Sequence, residues 1–252
     1  MMSATGNMRG PDVGVPDVTV VVTAHKEGPL LRMSINSLAR CRARAIDAGI
    51  DVDILVVGDA TDATTSRVID DLQGFAGVRT LRVSHRDLGL ARNAGIQKAR
   101  GQWVAIADGD DLYGADWIVA SMKRARSEAS PCIVHPELVI LFGAESGYYW
   151  QRGEESPDFN RDCALHINPF NSCAFAHKSV FIDHPYHAVG PAEGGFGFED
   201  WHWNCETMAA GIRHLTAPST VQFVRRKEVG SLSKLQAMHS AVIRPSALFS
   251  AL

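Results

Sequence analysis

The sequence has no paired-cysteine motif. Its five cysteines, Cys41, Cys132, Cys163, Cys173 and Cys205, stand far apart and form no Cys-x-x-Cys pair. That argues against a disulfide framework and a structural zinc site, and predicts reduced thiols in a cytoplasmic protein. Positive charge is not in excess either: 25 Lys and Arg face 28 Asp and Glu, a formal net charge of -3. A nucleic-acid backbone is therefore not an expected partner. No apolar run approaches the roughly 20 residues of a membrane-spanning helix. The longest, near Val18–Ala24 and Ile54–Val57, have strand length. Met1–Asp17 lacks the apolar stretch of an export signal and is expected to be a flexible N-terminal arm. The one glycine cluster, Gly194-Gly-Phe-Gly197, lies outside any strand–helix turn, which excludes a dinucleotide-binding fingerprint. Internal repeats and low-complexity tracts are absent.

Present instead is an ordinary globular balance: 252 residues, 46% hydrophobic and 21% charged. Short β-branched runs alternate with helical spacing. Strands are predicted at Val18–Thr23, Val52–Val57, Val78–Val83 and Trp103–Ala107. Helices are predicted at Leu30–Ala48, through Val68–Leu72, at Leu90–Arg100 and from Ala115 to Glu128. This order argues for an α/β fold with a mostly parallel central sheet flanked by helices. After Pro131 the texture changes. Ile133–Phe142 holds one or two strands, Gly143–Arg161 reads as a long loop, and Phe170–Phe181 mixes strand and turn. Trp201–Gly211 looks helical, Thr220–Arg226 is a strand, and the end is a helix or a tail. The expected organisation is one domain over residues 18–252. Residues 18–130 form its ligand-binding half, and 131–252 a smaller mixed region.

Asp108-Gly-Asp-Asp111 ends the fourth strand, where ligands of open α/β sheets bind. Asp108 and Asp110, at i and i+2, point to one side, and Gly109 permits close approach. Crowded carboxylates repel unless a divalent cation joins them, and hard oxygen ligands suit Mg2+ or Mn2+. Asp and Gly are also common turn residues, so the tetrad alone reads more readily as a solvated turn. Asp59, at the second strand's end, is a ligand candidate, whereas Asp62 reads as a helix cap. Arg92, near a helix start, suits an anion, although a lone helix arginine is more often exposed. Asp200, after Glu199, opens a helix beside aromatics and reads either as an N-cap or as an ionised carboxylate that can take a proton from a hydroxyl. Trp201 and Trp203 read either as flat faces for a ligand or as core. Arg225-Arg-Lys227 follows a strand and reads equally as a phosphate clamp or a solvated run.

Taken in order, these segments resemble family 2 of the glycosyltransferases, with the GT-A fold, over roughly Val18–Ser233. The carriers are Thr23 and Glu27, Val56-Val-Gly-Asp59, Thr64-Thr65, Gly89-Leu-Ala-Arg-Asn93, Asp108–Asp111 and Phe198-Glu-Asp-Trp201. The resemblance implies an inverting transfer from a nucleotide-diphosphate-sugar donor to an acceptor hydroxyl, in bacterial surface glycan synthesis. It implies a nucleoside pocket of Thr23, Ala24, Glu27 and Asp59, with Arg92 closing over the nucleotide. Asp108 and Gly109 would adjoin the ribose and metal, Asp110 would ligate Mn2+ or Mg2+ directly, and Asp200, with Glu199 beside it, would be the base. Arg225 and Arg226 stand where some relatives carry a metal-binding histidine, and are assigned to the diphosphate. Trp201, Trp203 and Asn171 are assigned to the acceptor. The Asn168-Pro-Phe-Asn-Ser-Cys173 stretch joins that side without a physical account. A UDP- or GDP-sugar donor and a glycan or lipid-linked acceptor follow, with peripheral membrane association compatible. The rival readings are a sugar nucleotidyltransferase, which would need a basic Gly-rich loop after the first strand, and an inactive sugar-binding module.

Overall fold

The computed structural model describes residues 14–189, 195–228 and 230–249. Residues 1–13 of the expected arm, and Gly194 of the glycine cluster, lie outside these. The arm's last residues are tied down: Asp17 N donates to Asp51 O at 2.9 Å, and Asp17 Oδ2 accepts from Asp51 N at 2.9 Å.

Four strands form a parallel unit: β1 (Val18–Ala24), β2 (Val52–Asp59), β3 (Val78–Val83) and β4 (Trp103–Asp108). Their order is β3-β2-β1-β4, with Val18 opposite both Val52 and Trp103. β1 is buried throughout, as its unbroken β-branched run requires of a strand covered on both faces. Alternate residues serve opposite layers. Val20 and Val22 join the core under α1 (Pro29–Asp47), α2 (Ala63–Leu72) and α4 (Trp117–Arg126). Val21 joins the core under α3 (Leu88–Lys98). α1 buries Leu31, Ile35, Leu38, Cys41 and Ala45, a stripe at helical spacing. Each large side chain there stabilises the fold by about 1.5–3 kcal/mol.

The mixed region extends the same sheet. The edge of β4 pairs antiparallel with β8 (Phe175–His177), which pairs with β6 (Cys132–Gly143). β6 runs parallel to β9 (Arg213–Arg226), and β9 pairs antiparallel with β5 (Leu112–Tyr113). β7 (Gly147–Trp150) folds back on β6. α5 (Lys178–Asp183) and α6 (Glu199–Ala209) lie on the α3 side, and α7 (Leu232–Met238) follows β9. Several elements differ from expectation, strand β5 and helix α5 among them. β7 emerges inside the expected loop, and β9 begins at Arg213 because its partner β6 is one long strand. Among the described residues no helix is long and apolar enough to cross a membrane.

A buried histidine pair ties β6 to β9. His135 Nδ1 contacts Cys173 O at 2.9 Å, and its Nε2 contacts His214 Nδ1 at 2.9 Å. His214 Nε2 meets Thr207 Oγ1 at 2.8 Å. A carbonyl only accepts, so His135 carries its proton on Nδ1, and its Nε2 in a neutral ring accepts from His214 Nδ1. Both rings are neutral. Burial lowers His135 to about 4 and His214 well below its usual value. The sign follows: a histidine depressed in the folded state adds stability above its unfolded value of 6.5, lost as pH falls through 4. For His135 this amounts to about 3 kcal/mol. Glu199, raised by burial, acts in the opposite sense. The histidine contribution is therefore read as a difference between proteins. Urea unfolding from pH 7 to 4 is expected to show the wild-type advantage over His135→Gln shrinking by about that amount.

Candidate active site

The parallel strands deliver their C-terminal residues to one rim. Thr23 on β1 pairs in register with Asp108 on β4, and Ala24 with Gly58 on β2. Gly109 follows Asp108, and its N–H donates to Thr23 O at 3.0 Å. A Cβ at Gly109 would stand 2.6 Å from that carbonyl, so only glycine lets the chain turn here. Asp59 organises the next loop: its carboxylate accepts from the N–H groups of Arg86 and Asp87 at 2.9 and 3.0 Å. His25 Nδ1 lies 2.6 Å from Asp59 O. Asp62 caps α2 through Thr65 N at 2.8 Å, as its sequence position suggests.

Arg92 is the hub. It is 1% exposed, on α3. Its Nη2 donates to Asp108 Oδ1 at 3.0 Å, and its Nη1 to Glu199 Oε1 at 2.7 Å. Its guanidinium lies over the Tyr186 ring at 5.3 Å. Asp108 also accepts from Ser172 Oγ at 2.6 Å and Thr23 Oγ1 at 3.4 Å. Burial alone would raise the Asp108 carboxyl, but Arg92, Ser172 and Thr23 together hold it below its ordinary value. Glu199 is pushed up to about 7 by burial, against the pull of Arg92.

α6 begins on Phe198, whose φ of 56° is left-handed and strained for a bulky residue. That turn sets Glu199 inward toward Arg92 and Asp200 beside it in the first helical turn, where the helix dipole favours carboxylates. Asp200 Oδ2 accepts from Asn168 Nδ2 at 3.0 Å, and Oδ1 from Trp201 N at 2.9 Å. Burial raises its carboxyl above the usual range, with Arg92 opposing.

β9 closes the other side. Asp111 is buried and accepts from Gln222 Nε2 and Arg225 N, both at 2.8 Å. Burial, then the charges of Asp110 and Asp108, push its carboxyl well up. Arg225 donates from Nε to Asp110 O at 3.1 Å and lies over the Phe142 ring at 4.5 Å. Its Nη2 is buried without a partner. Lys227 Nζ stands 2.7 Å from Asp110 Oδ2.

Among the described residues no three His, Cys, Asp or Glu side chains converge on a metal position. Asp108 is committed to Arg92, Ser172 and Thr23, and Asp111 to Gln222 and Arg225. Asp110 remains. A single carboxylate completed by phosphate oxygens and water matches how Mg2+ meets nucleotides. The residues fit an ion carried in with a diphosphate, not one caged by protein alone.

The fold and rim agree with known proteins. Residues 19–184 match Glycosyl transferase family 2. The chain belongs to this family. The succinoglycan biosynthesis protein ExoO of Rhizobium meliloti is 36% identical over 115 residues, 44% of this chain and 30% of that protein. The uncharacterized glycosyltransferase EpsJ of Bacillus subtilis is 30% identical over 116 residues, 46% of this chain and 31% of its own length. The chain thus matches about a third of the length of these relatives. Among solved structures, S. aureus TarS 1–349 in complex with UDP-GlcNAc superposes with a TM-score of 0.66. It is 13% identical, with 86% of this chain and 60% of that one covered. Mannosyltransferase PcManGT from Pyrobaculum calidifontis, in complex with GDP-Man and Mn2+, gives 0.62 at 16% identity. That match covers 90% of this chain and 62% of that one. The fold is therefore GT-A, as the sequence resemblance implies.

Several assigned residues of this family member gather on the rim: Thr23, Asp59, Arg92, Asp108, Gly109, Asp110 and Arg225 with Glu199 and Asp200. Ala24 ends β1, 3% exposed, and Glu27 follows. Burial raises the Glu27 carboxyl, with the charge of Asp110 adding to it. Arg226 turns away and pairs with Glu145 at 3.2 Å. Trp203 is a correction to the acceptor surface. It is 2% exposed, stacks on Phe181 at 5.1 Å, and donates from Nε1 to His184 O at 2.7 Å. α6 packs that face inward. Trp201 is half-buried, its Nε1 held by Ala164 O at 2.9 Å. Asn171 braces the rim from behind, with its N–H on Gln151 Oε1 and its Nδ2 on Gln222 Oε1.

Sequence reasoning held Lys227 only as part of a basic run, and Asn168 and Ser172 only within an unexplained stretch, and it missed the aromatic strand β7. The unexplained Asn168–Cys173 stretch is the connector. Asn168 holds Asp200, Ser172 holds Asp108, and Asn171 supports Asp111 through Gln222. Tyr148, Tyr149 and Trp150 on β7 are all exposed, and Tyr149, the least so, feels Asp200 and Asp111. Burial first, then those charges, push Tyr149 up to about 12. The clustered β-forming aromatics after Gly147 were an available signal for a strand. Two concavities, of about 450 and 570 Å³, hold none of these site residues; they adjoin Ile50 and Gly101, at the opposite strand ends.

Proposed function

We propose that this chain transfers a sugar from a nucleotide-diphosphate sugar to an acceptor hydroxyl, with inversion at the anomeric carbon, in bacterial surface glycan assembly. The observation that carries the reading is the Arg92 bridge. It ties the β4 carboxylate Asp108 to Glu199, the neighbour of Asp200, so donor-side groups and a base share one rim. Asp200 takes the proton from the acceptor hydroxyl as that oxygen attacks the anomeric carbon. The bond to the diphosphate oxygen breaks, and the diphosphate leaves with the electron pair. A base with a raised pKa suits this task better than a free aspartate. Thr23, Ala24, Glu27 and Asp59 line the nucleoside end, and Arg225 faces the diphosphate. UDP- and GDP-sugars are the donors of choice, on the ligands carried by TarS and PcManGT.

Asp110 is the residue proposed to hold Mn2+ or Mg2+ together with the donor. Such an ion, when bound, neutralises charge on the departing diphosphate. The ring of Tyr149, on the face of β7 that feels Asp200 and Asp111, is proposed for the glycan or lipid-linked acceptor, in place of Trp203. The test is nucleotide release from UDP- and GDP-sugars with Mn2+, alongside titration of each nucleotide. Asp110→Ala is expected to weaken Mn2+-dependent nucleotide binding at least about tenfold, a change of about 1.4 kcal/mol. Unchanged titration heats would remove Asp110 from that role.

A further inference from the structure

Lys227 follows β9 directly, where β9 pairs with β5 and so returns to the acidic tetrad. Its ammonium lies 2.7 Å from Asp110 Oδ2, with the two side chains 24% and 18% exposed. Glu27 and Asp111 are the other carboxylates whose charge reaches it. The carboxylate left open to a divalent ion thus already has a cation, one covalently fixed to the chain.

We propose that Lys227 is a placeholder for the divalent ion: it neutralises Asp110 in the donor-free protein and moves to the donor diphosphate when ion and nucleotide arrive together. This rests on the metal reading of Asp110 given above. The charge arithmetic is simple. An ion arriving alone must break a close pair and leave an ammonium beside a double positive charge, which Coulomb repulsion opposes at such distances. A diphosphate supplies new oxygens for the displaced ammonium, and the ion then takes Asp110. Each ligand therefore raises the other's affinity, by the same factor in both directions. A strongly hydrated ammonium on a flexible stem is suited to such an exchange.

The experiment measures Mn2+ binding by electron paramagnetic resonance, and UDP and GDP binding by calorimetry, each alone and in combination. Wild type is compared with Lys227→Met, Lys227→Gln and Lys227→Arg, with thermal melts to establish that each is folded. Wild type is expected to bind Mn2+ alone weakly and at least about tenfold tighter with nucleotide, within the usual range of coupling. The two neutral variants are expected to bind Mn2+ alone about tenfold tighter than wild type, and metal-free nucleotide about tenfold more weakly. Lys227→Arg, which keeps the charge, is expected to stay near wild type for Mn2+ alone. If Mn2+ binds with nucleotide but its lone affinity is equal in wild type and the neutral variants, the placeholder role is overturned while the metal reading stands. If no protein takes up Mn2+ with either nucleotide, the metal reading falls and the placeholder role with it.

Discussion

Asp200→Asn is expected to bind the donor as tightly as wild type while sugar transfer falls by about 10²–10⁴-fold, the usual contribution of a positioned base. Asparagine keeps the size of the side chain and an oxygen for Asn168 Nδ2, now 3.0 Å from Asp200 Oδ2. What it loses is the capacity to accept a proton from the attacking hydroxyl. Because burial raises the Asp200 carboxyl, the acidic limb of the wild-type rate profile should lie above the range of an exposed aspartate. Trp201 N loses its acceptor on Asp200 Oδ1, a cost offset by the removal of a charge that burial disfavours. Calorimetric donor titration and single-turnover transfer, measured on one preparation, separate the two effects. Equal transfer rates would take the base role from Asp200. Equal losses in donor affinity and rate would instead make it a binding residue.

Arg92→Met is expected to cost about 3–5 kcal/mol of stability, because it strands buried carboxylates that the guanidinium now bridges. Arg92 and Glu199 have side chains only 1% and 5% exposed, and Asp108 is 24% exposed. The sign of the pH dependence is diagnostic. Glu199 is already raised to about 7, above its ordinary 4.5, and losing Arg92 removes the opposing pull. A carboxyl raised in the folded state adds stability at low pH that is lost as pH rises through the folded value. The deficit of Arg92→Met should therefore be smaller at pH 5 than at pH 8 in urea unfolding. Adding Glu199→Gln should recover part of it at pH 8. Lysine at this position should rescue poorly, since it lacks the fork that reaches two carboxylates. A deficit independent of pH and untouched by Glu199→Gln would mean that Arg92 acts through packing alone.

These two residues also mark how much of the site could be read before folding. Asp200 was legible because carboxylates at the start of an amphipathic segment have a local signature. Arg92 was legible as an anion-binding candidate, yet its protein partner Glu199 lies 107 residues away. No local pattern announces such a pair. Trp203 was ambiguous for the same reason: a helix sequence records spacing, but the neighbour on each face is chosen by packing. The Asn168–Cys173 stretch has no periodicity at all. Its role is carried by single hydrogen bonds to Asp200 and Asp108, which composition does not encode.

The sequence by itself determined the parallel strands β1 to β4, the helices α1 to α4, and the acidic tetrad at the end of β4. Each rests on short-range physics: β-branched runs buried on two faces, helical apolar spacing, and glycine where a Cβ has no room. Only the tertiary structure decided that Arg92 joins Asp108 to Glu199, that Lys227 rests on Asp110, and that Trp203 belongs to the core. Those contacts arise when distant strands close one sheet, and a charge selects its partner from whatever the closed chain brings within a few ångströms.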